Sequence, residues 1–135
     1  MIVVDTNVLV YLLLSGYENE KSHEVFQKDM NWMIPSLARR EFCNTLLMHY
    51  RKELVTYMEA KELLKTFDKL VNDKTYDVSP SQVLEVGLNS TLSIYDSEFI
   101  GLAKKHNCTL VTNDKKILRS FPEIAQSPKQ FIGLT

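Results

Sequence analysis

Cysteine is scarce in this chain: Cys43 and Cys108 are the only two, far apart and with no paired spacing or histidine cluster beside them. That excludes a disulfide framework and a zinc site, and both are expected to be small core residues. Glycine and proline number four each, too few for a linker or a low-complexity tract, and no internal repeat is visible. Charge of one sign is lacking too. Lys and Arg total 16 against 17 Asp and Glu, so any nucleic-acid site has to come from local clustering of cations. Long apolar runs are also missing: the N-terminal run over 1–4 has no basic leading region and is broken by Asp5 and Asn7. This argues against a signal peptide and a membrane span, and points to the cytoplasm. What is there is 44% hydrophobic residues in a chain of 135, enough for a single domain over 1–135 with one core.

The apolar pattern alternates between short continuous runs and helical periodicity. Residues 2–4 read as a buried strand and 8–14 as a helix stopping near Ser15 and Gly16. A polar helix with Glu24 and Lys28 at i,i+4 follows, to about Met30. A second strand over 32–34 is closed by Pro35, with Ser36 as the N-cap of a helix over 37–52. A helix over 56–71 carries Met58, Leu63, Leu64, Phe67, Leu70 and Val71 on helical spacing. A third strand over 76–78 precedes Ser79 and Pro80, a cap and first-turn pair for a helix to about Leu88. Ser93 caps a helix through His106, a fourth strand covers 109–111, and a short helix over 115–119 and a last strand over 129–132 finish the chain. Strands of this kind between helices predict an α/β domain with a parallel sheet covered on both faces.

Ligands of such sheets bind at the carboxyl ends of the strands. Asp5 and Asp114 fall at such ends, Glu41 about one turn into the helix after the second strand, and Asp96 in the first turn after Ser93. Each has a plainer account. Asp5 and Asp114 also suit N-caps, and Asp96 suits the third position of a capping box. Glu41 resists this best, because its i±3 and i±4 neighbours are Leu37, Ala38, Asn44 and Thr45, with no cation among them. Four converging carboxylates repel one another and call for a counter-charge. Hard oxygen donors without a histidine or cysteine cluster select Mg2+ or Mn2+, and water on such an ion can hydrolyse a phosphodiester.

Four segments in order, 2–9 (IVVDTNVL), 38–44 (ARREFCN), 95–104 (YDSEFIGLAK) and 110–117 (LVTNDKKI), resemble those of the PIN-domain ribonucleases, and the compact size resembles the VapC toxins of toxin–antitoxin pairs. The resemblance covers essentially the whole chain. It implies a three-layer α/β/α sandwich around a parallel sheet of about five strands. By the same resemblance Asp5, Glu41, Asp96 and Asp114 form the acidic quartet that binds Mg2+ or Mn2+, while Thr6, Asn7 and Thr112 support it. Many relatives carry another acid shortly after Asp114, where this chain has Lys115 and Lys116, so one bound ion is expected rather than two.

Cations flank the acids: Arg39 and Arg40 before Glu41, and Lys115, Lys116 and Arg119 after Asp114. They are candidates to hold RNA phosphates, against the plainer account of solvated helix faces. The family implies an antitoxin partner and a homodimer packed through helices. Three other readings stay open: a free-standing RNA-processing PIN nuclease, a non-catalytic PIN-like binding module, and a phosphatase with Asp5 as nucleophile. The last lacks the second acid that such enzymes place where this chain has Asn7.

Overall fold

The computed structural model describes residues 1–134. Five strands form one sheet: β1 (Ile2–Val4), β2 (Trp32–Pro35), β3 (Thr75–Tyr76), β4 (Leu110–Val111) and β5 (Ala125–Gln126). Their order is β3-β2-β1-β4-β5 and every pairing is parallel, with Ile2 opposite Trp32, Val3 opposite Leu110 and Ile34 opposite Thr75. Each residue of β1 and β2 is buried, as it must be where helices cover both faces of a parallel sheet.

The helices are α1 (Thr6–Leu13), α2 (Ser22–Lys28), α3 (Leu37–Arg51), α4 (Tyr57–Val71), α5 (Pro80–Leu88), α6 (Ile94–His106), α7 (Lys115–Ser120) and α8 (Pro128–Phe131). Helix α6 lies on β1, β2 and β4 with α5 against it, while α1, α3 and α4 pack together with α3 and α4 on β2. The result is a three-layer α/β/α sandwich. Phe42 of α3 stacks on Phe67 of α4 with ring centroids 4.4 Å apart, both fully buried. Among the described residues no helix is long and apolar enough to cross a membrane.

The strand order puts β1 at the centre, with successive crossovers leaving it on one side to β2 and β3 and on the other to β4 and β5. Such a reversal opens a crevice beyond the carboxyl ends of the two central strands. Asp5 directly follows β1, and its N–H donates to the carbonyl of Val111 at the end of β4 (3.0 Å).

Four expectations need correction. The third strand is Thr75–Tyr76 rather than 76–78, because its partner β2 ends at Pro35, opposite Tyr76. The segment expected as a last strand over 129–132 falls mostly in α8, which Ser127 and Gln130 start with a reciprocal capping box ahead of Pro128. The fifth strand lies earlier, at Ala125–Gln126. Ser36 does not cap α3: its backbone is already helical, and its hydroxyl donates to Asp77 instead. Lys28 does not pair with Glu24, since its ammonium group reaches the carbonyl of Phe131 and lies over that ring.

Candidate active site

At the central crevice a hydrogen-bonded chain links three elements. Asp5 Oδ1 accepts from the Thr6 N–H at 2.7 Å and Oδ2 from the Thr112 hydroxyl at 2.6 Å. The Thr112 oxygen in turn accepts from the Asp114 N–H at 3.0 Å, tying the loop after β4 to the end of β1. On the other side the Thr6 hydroxyl donates to Glu41 Oε1 at 2.6 Å, which fixes α3 to the start of α1. Thr6 and Thr112 are 5% and 0% exposed, so both hydroxyls are oriented by packing as well as by their bonds.

Asp5 is therefore both a helix cap and a member of the cluster, and so is Asp114, whose Oδ1 accepts from the N–H groups of Lys116 (2.8 Å) and Ile117 (3.3 Å). Asp96 fits its plainer account only in part. Its N–H donates to the Ser93 hydroxyl at 3.1 Å, and its carboxyl group is half-exposed toward Asp114 and Lys116 as well as Ser93.

The four acids are coupled electrostatically. Burial raises the pKa of Asp5 to about 6 against the opposing hydrogen bonds of Thr112 and Thr6, with repulsion from Glu41 and Asp96 adding to the rise. Glu41 is raised by burial of its carboxyl end and by Asp96, against the bond from Thr6, although the residue as a whole is exposed. Asp96 is raised by burial and by Asp114, with Lys116 and Ser93 acting the other way.

The ion pairs among the described residues join Met1 to Asp29, Arg39 to Asp68 and Lys65 to Glu62, so none relieves this repulsion. Partly desolvated carboxylates that no ion pair neutralises are a donor set of the kind a hard divalent cation takes. Among the described residues no group of three or more His, Cys, Asp or Glu side chains is placed to hold an ion by itself. An ion held here would have to keep several waters and take one or two carboxylates at a time.

The expected supporting and RNA-facing residues divide. Thr6 and Thr112 lie in the network, whereas Asn7 is exposed and no hydrogen bond of its side chain occurs among the described residues. Lys115, Lys116, Arg119 and Arg40 are exposed. The Arg39 guanidinium donates to Asp68 at 2.6 Å and to the Thr75 hydroxyl at 3.4 Å, a brace between α3, α4 and β3. Two positions along a helix turn a side chain by about 200°, so Arg39 and Glu41 leave α3 on nearly opposite sides. Sequence reasoning missed Glu98 and Asp77. Burial and repulsion from Asp77 and Glu41 raise the pKa of Glu98. Their signal was available in part, since Asp77 follows a strand just as Asp5 does.

Comparison with known proteins agrees with this architecture. The chain is 24% identical to Ribonuclease VapC3 of Pyrobaculum aerophilum over 126 residues, 91% of this chain and 96% of that protein. Its fold is similar to the crystal structure of PAE2754 from Pyrobaculum aerophilum, with a TM-score of 0.73, 23% identity, and coverage of 97% of this chain and 92% of that one. It is also similar to a chain of a toxin-antitoxin complex from Klebsiella pneumoniae, with a TM-score of 0.72, 15% identity, and coverage of 95% and 98%. Residues 2–124 match the PIN domain, and the chain belongs to that family.

Proposed function

We propose that the chain is a Mg2+- or Mn2+-dependent endoribonuclease that hydrolyses RNA phosphodiester bonds, and the toxin of a toxin–antitoxin pair. The observation that carries this reading is the cluster of Asp5, Glu41, Asp96 and Asp114 at the central crevice, mutually repelling and paired with no cationic side chain among the described residues. Kinship with a protein named Ribonuclease VapC3 supports it.

In this reading the ion would be held by one or two of Asp5, Asp96, Asp114 and Glu41 at a time, with water completing its shell. When bound, the ion supplies a water of lowered pKa and a counter-charge for the phosphate oxygens. Thr6 and Thr112 hold Asp5 in one orientation with a lone pair free on each oxygen. Glu41 keeps Oε1 on the Thr6 hydroxyl and takes the proton of the attacking water at Oε2, a role that suits a carboxylate of raised pKa. Lys115 and Lys116, with Arg40 opposite, hold phosphates of the strand being cut.

The toxin role rests on the Klebsiella fold relative and on a groove suited to a partner. A cavity of about 610 Å³ is lined by Leu13, Tyr17, His49, Leu54, Leu63 and Glu59, and a neighbouring one of about 480 Å³ shares Leu54, Val55 and Glu59 with it. An apolar segment with basic residues fits such a lining. His49 and Glu41 lie on one stripe of α3, bridged by Thr45, so a segment in the groove can continue toward the acids. A homodimer is part of the same reading, and the exposed Leu84, Leu88, Ile94 and Tyr95 of α5 and α6 offer the apolar face for it.

The test is cleavage of RNA by the purified protein with Mg2+ or Mn2+, with EDTA, and as Asp5→Asn and Asp96→Asn. Cleavage is expected only with the metal and in neither variant. Undiminished cleavage in EDTA or by Asp5→Asn overturns the reading.

A further inference from the structure

We infer that Arg39 is a positioning residue for Glu41: anchored to Asp68 and Thr75, it holds the first turns of α3 from the flank away from α1, so that the Glu41 carboxylate meets the Thr6 hydroxyl. The chemistry of Glu41 rests on the nuclease reading, and Arg39 adds what fixes the place of that acid.

Helix α3 starts just after β2 and delivers Glu41 little more than one turn later. Its seat is set from three directions. Ala38 and Phe42, both fully buried, fix its depth against the core. Toward α1, Glu41 Oε1 accepts from the Thr6 hydroxyl at 2.6 Å. On the remaining flank the anchor is Arg39, with Nη1 donating to Asp68 of α4 at 2.6 Å and Nη2 to the Thr75 hydroxyl of β3 at 3.4 Å. Apolar contacts are non-directional, so the roll of α3 about its own axis is left to the two polar ties.

Both partners of Arg39 are themselves held. The Thr75 hydroxyl gives its proton to the Val71 carbonyl at 2.7 Å, which leaves a lone pair to accept from the guanidinium. Asp68 and Val71 belong to the last turn of α4, and Thr75 lies opposite Ile34 of β2, the strand from which α3 departs. The planar fork of Arg39 spans the two anchors at once, which the point charge of a lysine does not reproduce. With 33% and 43% of their side chains exposed, Arg39 and Asp68 add little to global stability, so an effect on geometry can be read by itself. A displacement of about 1 Å is enough to break the Thr6 bond, and misplacement of that size can cost a reaction about 100-fold.

The experiment has two parts, with a thermal melt to check that each variant folds. In the metal-free protein, NMR of isotope-labelled threonine methyl groups follows Thr6, with Glu41→Ala as the reference for a broken Thr6 to Glu41 bond. Arg39→Gln and Asp68→Ala, on separate helices, are each expected to move the Thr6 signal toward that reference, and the double variant no further than either. In RNA cleavage with Mn2+ the same two variants are expected to lower kcat by about tenfold with KM changed by less than about twofold, and Arg39→Lys to recover part of kcat. A Thr6 signal unmoved in both variants overturns the inference, and so does an unchanged kcat in both. A raised KM at unchanged kcat in Arg39→Gln, with RNA binding kept or tightened in Asp68→Ala, also overturns it, because that pattern belongs to a guanidinium that holds phosphate. An inert wild-type protein counts against the nuclease reading alone, since the Thr6 signal still tests Arg39.

Discussion

Asp5 engages both carboxylate oxygens, with Thr6 and Thr112, and still sits where its charge is disfavoured. In the metal-free protein its pKa of about 6 lies above the ordinary 3.8, so between those values the folded state binds more protons than the unfolded chain. Stability from this group is present at low pH and is lost as pH rises toward about 6, a difference of order 3 kcal/mol. Asp5→Asn imitates the protonated form. In chelator at about pH 7 it is expected to be more stable than wild type by about 1–2 kcal/mol, the gap closing toward about pH 4.5. Urea unfolding at the two pH values measures this, and a less stable variant or a gap independent of pH contradicts it. Thr112→Val makes the opposite prediction. It strips a partner from Asp5 Oδ2 and from the Asp114 N–H, at a cost of about 1–3 kcal/mol, and RNA cleavage falls with it. Thr112→Ser should keep both, and a valine variant equal to the serine variant in cleavage and stability refutes the role.

The helices and strands were legible in proportion to their length and burial. Strands β1 and β2 are continuous buried runs, and α4 carries its apolar stripe and a cap, so their existence followed from spacing. Strands β3 and β5 hold two residues each, and no period can be read from two positions. Their existence depends on neighbours: β3 pairs where β2 offers Ile34 and Pro35, and β5 where β4 offers Leu110 and Val111. The site divides in the same way. Asp5 and Asp114 were legible because each interrupts apolar sequence at a strand end, while the Thr112 to Asp5 bond joins residues 107 positions apart. Arg39 follows the same rule: its partner Asp68 lies 29 positions away, so the brace it makes could not be read from its neighbours in sequence. The cap of α4 supplies a test at this scale. Thr56 accepts from the Glu59 N–H and Glu59 returns a bond to the Thr56 N–H, so Thr56→Ala is expected to cost about 1 kcal/mol in chemical unfolding. A variant as stable as wild type contradicts the cap's contribution.

Across the whole molecule the formal charge is close to balanced, at −1, and function depends on how that charge is distributed. Asp5 and Asp114 follow the two central strands, Glu41 and Asp96 are coupled to them electrostatically, and α7 carries Lys115, Lys116 and Arg119. The sandwich places these groups by topology: strand order opens the crevice between β1 and β4, and α3 and α6 deliver Glu41 and Asp96 to it. A molecule that keeps this much mutual repulsion in one crevice has a standing demand for a cation. Titration of Mn2+ into the purified protein, followed by electron paramagnetic resonance of the free ion, tests that demand most directly. One ion per chain is predicted for wild type, with affinity falling at least tenfold in both Asp5→Asn and Asp96→Asn, a loss of about 1.4 kcal/mol or more. Equal Mn2+ binding by all three proteins, or none by wild type, would contradict the account.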